Sequence, residues 1–95
     1  MRRRLNRDDA EDIAIRGLGF LASDPERLER FLSVTGLGPE NLRSAAQEPK
    51  FLASVLDYIA SDESLLVALA GHAGVAPEQV GLAHTVLAGP AHGYD

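Results

Sequence analysis

Apolar side chains recur along this chain every three or four residues. Ala10, Ile13, Ala14, Gly17, Leu18 and Leu21 form one helical stripe, with Asp8 or Asp9 placed to cap the helix it predicts. Asp24-Pro25 then supplies an N-cap residue and a proline at the first helical position, where an N–H would have no intrahelical partner. A second helix is predicted there with Leu28, Phe31, Leu32 and Thr35 on its buried side, and Gly36 is suited to end it in a left-handed conformation. Gly38-Pro39 restarts the chain as a short third helix with Leu42, Ala45 and Ala46 inward. Pro49 opens a fourth, with Leu52, Val55, Leu56 and Ile59 on one face. Ser61-Asp62 caps a fifth carrying Leu65, Leu66, Leu69, Ala70 and Ala73, which Gly74 closes. Pro77 opens a sixth, with Val80, Ala83, His84 and Leu87 inward. No stretch alternates polar and apolar residues long enough to propose a strand. The prediction is an all-α fold, a compact bundle of six helices, two of them short.

Those helices read as three helices used twice. Displacing the sequence by 38 residues aligns Leu18 with Leu56, Ala22 with Ala60, Ser23 with Ser61 and Asp24 with Asp62. The same displacement aligns Leu28 with Leu66, Gly36 with Gly74, Pro39 with Pro77, Glu40 with Glu78 and Ala45 with Ala83. The matched residues are caps, breakers and inward positions, so convergence on common helix punctuation is the competing account. Duplication is the reading preferred here, with pseudo-repeats at about residues 13–47 and 51–88 packed on each other about a pseudo-twofold axis.

Composition narrows the picture. Ninety-five residues allow one domain. The absence of cysteine removes disulfides, iron–sulfur clusters and thiolate zinc sites, and makes a reducing cytoplasm the expected location. Alanine and leucine supply fourteen residues each, a helix-favouring balance. After the basic start, Asp8 and Asp9 stand where a secretory signal would carry an apolar run, and no window approaches a membrane span. The expected organisation is a basic, disordered arm over residues 1–8, a single all-α domain over 9–89 and a flexible tail over 90–95.

Charge is segregated. All nine basic residues lie at or before Lys50, where nine acids balance them; residues 51–95 hold five acids and no base. Four of the nine bases fall within the first seven residues, which leaves a charge of −9 on the remainder. A body that acidic repels nucleic-acid backbones unless the arm does the binding.

The most suggestive local motif is Thr35-Gly36-Leu37-Gly38-Pro39-Glu40-Asn41-Leu42. It resembles the hairpin of helix-hairpin-helix DNA-binding modules, in which glycines let the backbone approach a phosphate and the next helix's N–H groups bind it. Pro39 removes one such donor and Glu40 brings a negative charge to the same place, so a tight helix–helix turn is preferred. The arginines of the arm, Arg2, Arg3, Arg4 and Arg7, are read as a solvated segment; without aromatic stacking residues they give only weak, salt-sensitive binding. With Gly36 and Gly38 they form the candidate contacts of an alternative nucleic-acid-binding module.

His72, His84 and His92 lack the i, i+4 spacing of a helical zinc pair, and His84 falls on an apolar stripe as a core or interface residue. Asp57 with the Asp62-Glu63 pair can be imagined as an acid/base set, yet Asp62 is a predicted N-cap and Glu63 belongs in a first helical turn. No catalytic residue, metal ligand or cofactor is assigned, and the chain is read as not an enzyme.

From Ser64 to Tyr94, Glu78 is the only charged side chain. Water-facing helix surfaces carry charges every few residues, so a face this poor in charge is expected to be covered by another chain. Val67, Leu82 and Val86 are the candidate interface residues. The segments Leu21-Ala22-Ser23-Asp24-Pro25-Glu26-Arg27-Leu28-Glu29-Arg30-Phe31-Leu32 and Thr35-Gly36-Leu37-Gly38-Pro39-Glu40-Asn41-Leu42-Arg43 resemble a family of short proteobacterial proteins catalogued as a domain of unknown function, over about residues 10–90. The resemblance implies a small cytoplasmic helical protein and brings no reaction, cofactor or binding residue. The function expected is a non-enzymatic protein–protein interaction module, dimeric through its carboxy-terminal helices, with no membrane association.

Overall fold

Among the described residues six α-helices follow one another: α1 (Arg7–Ala22), α2 (Pro25–Thr35), α3 (Leu42–Ala45), α4 (Pro49–Ala60), α5 (Glu63–Ala73) and α6 (Pro77–Ala88). A 3-10 turn, Pro39–Asn41, leads into α3. The computed structural model describes residues 5–89, so Arg2, Arg3, Arg4 and the tail from residue 90 lie outside the described residues. No strand is present among those described.

Local chemistry sets the helix boundaries. α1 starts earlier than its apolar stripe predicts, because the cap is Asn6 and not Asp8 or Asp9. The Asn6 side chain accepts from the Asp9 N–H at 2.8 Å, and the Asp9 carboxylate accepts from the Asn6 N–H at 3.3 Å, a reciprocal capping box. Arg7, expected in the arm, therefore lies in the first turn of α1, and Leu5 packs against the core. The start of α6 uses half of the same device, with Gln79 Oε1 accepting from the Ala76 N–H at 2.9 Å.

Asp24 and Asp62 cap α2 and α5 with nearly the same backbone, φ −126°, ψ 113° and φ −127°, ψ 110°. Each side chain accepts the N–H two residues on at 3.0 Å. Gly36 and Gly74 end the two helices at φ 76° and 71°, a conformation that a Cβ disfavours. These are the positions that the 38-residue displacement pairs. The likeness stops at the third members. α6 runs for twelve residues and packs on both α1 and α4, whereas the four residues of α3 contact chiefly the turn before them. Val80 is fully buried, but Leu42, its counterpart 38 residues earlier, is only half-buried. Ala45 and Ala46, expected inward, are half-buried too. The cause is Pro49, which opens α4 and leaves α3 no room for a second turn. Equivalent caps are present; two like three-helix units are not shown.

The core gathers on α1, which packs against α2, α4, α5 and α6. Its inner face is made of small residues, Ala10, Ala14 and Gly17, flanked by Ile13, Phe20 and Leu21. A Cβ at Gly17 would lie 3.1 Å from Ile59 Cδ1, 3.4 Å from Leu69 Cδ2 and 3.6 Å from Val55 Cγ1, so α4 and α5 both close onto the place where α1 has no side chain. Phe31, the largest fully buried side chain, anchors α2 to α4 through edge-on and tilted ring contacts, with centroids 5.1 Å from Tyr58 and 5.9 Å from Phe51. The Arg27 guanidinium lies 4.6 Å above the Phe20 ring and ties α2 to α1.

Gly17→Val should lower stability by about 1–3 kcal/mol, because its two methyl groups enter space already filled by Ile59, Leu69 and Val55. Urea unfolding followed by circular dichroism measures this, and an unchanged midpoint would refute the packing described.

Candidate interaction surface

Three N–H groups in and beside the Gly36–Gly38 turn are already bonded within the chain. The Gly36 N–H donates to the Leu32 carbonyl at 2.8 Å, the Leu37 N–H to Thr35 Oγ1 at 3.3 Å, and the Asn41 N–H to the Gly38 carbonyl at 3.0 Å. Pro39 has no N–H to offer. The Glu40 carboxylate folds back over Gly38, where an added Cβ would come within 2.6 Å of its Oε2. Gly38 thus borders a carboxylate of its own chain, and the geometry is that of a helix–helix turn with an anion already on it. Arg7 lies exposed in the first turn of α1; the other three arginines of the arm are outside the described residues.

The candidate acids have local structural partners. Asp62 accepts from the Ser64 and Leu65 N–H groups, and Glu63 occupies the first turn of α5. His84 Nε2 lies 3.8 Å from Asp57 Oδ1, bridging α6 to α4 when the imidazole is charged. His72 rests against the Phe20 ring at 5.6 Å on the edge of the bundle. No group of three His, Cys, Asp or Glu side chains converges as a metal site among the described residues.

Apolar exposure is concentrated at few points. Val67 on α5 and Leu82 on α6 are 56 % and 54 % exposed, as their outward positions predict. Val86 is half-buried and packs against the core, so of the three candidate interface residues it is the least available. α5 and α6 are together apolar enough to pass for a membrane span, but they bend by 98° at Gly74–Ala76, and no single helix among the described residues is long and apolar enough to cross a membrane. A further apolar surface went unseen in the sequence. It is a shallow groove of about 340 Å³ between α1 and α3, lined by Ile15, Leu18, Gly19, Ala22, Leu42 and Arg43 among others. Ile15 is 52 % exposed there. The groove exists because the truncated α3 cannot cover the back of α1, and a stripe count along α1 alone does not reveal what a neighbouring helix will fail to reach.

A family model described as "protein of unknown function (DUF3572)" matches residues 7–90. The chain belongs to this family. The match begins at the first residue of α1 and takes in all six helices, so the DUF3572 region and the helical fold coincide. No curated protein matches the chain, and no solved structure does either.

The two glycines of the DUF3572 turn should respond differently to alanine. Gly36→Ala should cost about 1–2 kcal/mol, because φ 76° places its Cβ against the following carbonyl. Gly38→Ala should stay within about 0.5 kcal/mol, since only the far end of the exposed Glu40 side chain must swing aside. Thermal unfolding of the two variants decides the matter; equal losses would mean that Gly38 has a second structural role.

Proposed function

We propose that this member of DUF3572 is a non-enzymatic protein–protein interaction module that self-associates through α5 and α6. The observation that carries the reading is the exposure of Val67 and Leu82 on two helices that, beyond Glu63 at the start of α5, carry one charged side chain, Glu78. Burying about 400 Å² of apolar surface on each of two subunits gains on the order of 20 kcal/mol at roughly 25 cal/mol per Å². Lost rigid-body freedom offsets about 4–15 kcal/mol of such a gain, which makes a reversible dimer the reasonable outcome. The local roles of Asp62 and Glu63 favour a binding function over a catalytic one. The cysteine-free composition suits a reducing compartment, and we place its work in the cytoplasm.

Val67→Glu and Leu82→Glu should each give a folded protein that sediments as a monomer at concentrations where the parent chain is dimeric, because each buries an unpaired charge at the contact. Val86→Glu should instead unfold the chain, since part of that side chain is core. A parent chain that sediments only as a monomer would remove the self-association reading.

Duplex DNA is not the partner in this reading, given the Glu40 carboxylate over Gly38 and the net charge of −5. A mobility-shift titration at physiological salt should show no sequence-selective complex. Tight selective binding that is lost on replacing Arg2, Arg3, Arg4 and Arg7 would transfer the function to the arm.

A further inference from the structure

We infer that the groove between α1 and α3 is the receptor for α6 of a second copy of this chain. The inference rests on the self-association proposed above and names the surface that receives its α6 part. The groove is apolar along Ile15, Leu18, Ala22 and Leu42, and Arg43 stands at its edge. Among the described residues Arg43 has no carboxylate partner; the pairs present are Arg16 with Asp12, Arg27 with Asp24 and His84 with Asp57. The complementary surface is therefore an aliphatic helix face bearing one acid.

This chain carries such a face. Glu78, Leu82 and Val86 recur every four residues on α6, so they lie on one stripe with the carboxylate at its amino-terminal end. Glu78 is exposed, Leu82 is half out of the bundle, and Glu78 is the only charge between Ser64 and Tyr94. The lengths agree as well. From Ile15 to Ala22 the groove extends about 10 Å along α1, and from Glu78 to Val86 the stripe extends about 12 Å, at roughly 1.5 Å per residue. A helix laid in a groove is held by its i, i+4 apolar anchors, and the Arg43–Glu78 pair at the edge fixes which way the helix lies. The contact joins two different surfaces, so two of them related by a twofold axis close a dimer in which each copy gives α6 and receives α6.

Charge reversal tests the pairing. Arg43→Glu alone and Glu78→Arg alone should each weaken self-association by about tenfold or more, as like charges then face each other. The double variant Arg43→Glu/Glu78→Arg should restore it. An equimolar mixture of the two single variants should also associate, because each mixed pair contains one reversed and one native contact. Sedimentation velocity reads all four samples, and circular dichroism checks that each is folded.

The absence of cysteine permits a second, independent readout. Chains carrying Leu82→Cys should form an intermolecular disulfide with chains carrying Ala22→Cys. If the parent chain dimerises but the charge reversals change nothing, and Leu82→Cys chains link only to one another, the groove is not the receptor and the contact is α6 against α6. That outcome overturns this inference and leaves the proposed self-association standing. A parent chain that never dimerises overturns both.

Discussion

The close approach of α4 and α5 to Gly17 is the contact on which the arrangement of the other helices depends. With hydrogen in place of a side chain at that point, Ile59, Leu69 and Val55 reach the α1 backbone, and the small Ala10 and Ala14 extend the same flat face. A helix with such a face can be surrounded closely. Four helices pack on α1, and the bulkier residues needed to fill the core come from them: Leu56 and Ile59 from α4, Leu69 from α5, Val80 and Leu87 from α6, Phe31 from α2. Size is thus divided between the central helix and its neighbours, a complementarity that a well-packed interior requires.

That division has a consequence for the surface. α6 has twelve residues with which to cover α1 and α4, so it buries Val80, Ala83 and Leu87 and leaves Leu82 outside. α3 has four, because Pro49 starts the next helix, and the outer side of α1 near Ile15 and Leu18 remains uncovered. One proline therefore accounts for the half-burial of Leu42 and for the groove beside it. The uncovered groove follows from the shortness of α3, whereas Leu82 is exposed because it points outward from α6.

Much of the fold was legible in the residues alone, because its boundaries are set by side chains acting within a few residues. Asp24 and Asp62 are the caps they were expected to be, Pro25, Pro49 and Pro77 open helices, and Gly36 and Gly74 close them. Asn6 was missed as the first cap because Asp8 and Asp9, the more conspicuous acids, follow it within one turn. The burial of Leu42 was overestimated for a different reason: periodicity gives the direction of a side chain relative to its helix, not whether the helix itself reaches the core. The 38-residue likeness likewise describes caps, which are local, and says little about packing, which is not. Of the candidate interface residues, Val67 and Leu82 could be read as outward from their spacing, whereas Val86 lies on the margin of the same stripe and is partly absorbed by the core. The groove had no sequence signal, since it requires two segments 20 or more residues apart to lie side by side without meeting.

α1 and α6, among the most extensively packed pairs in the bundle, stand at opposite ends of the described chain. During synthesis at about 5–20 residues per second, several seconds separate the completion of α1 from that of α6. Over that interval the hairpins α1–α2 and α4–α5 can form, but the face of α1 that α6 covers has no mate. α6 is translated well after the helix that needs it, so the nascent chain has to be kept from aggregating until α6 emerges, and a fragment cut short before Pro77 would expose that unprotected face.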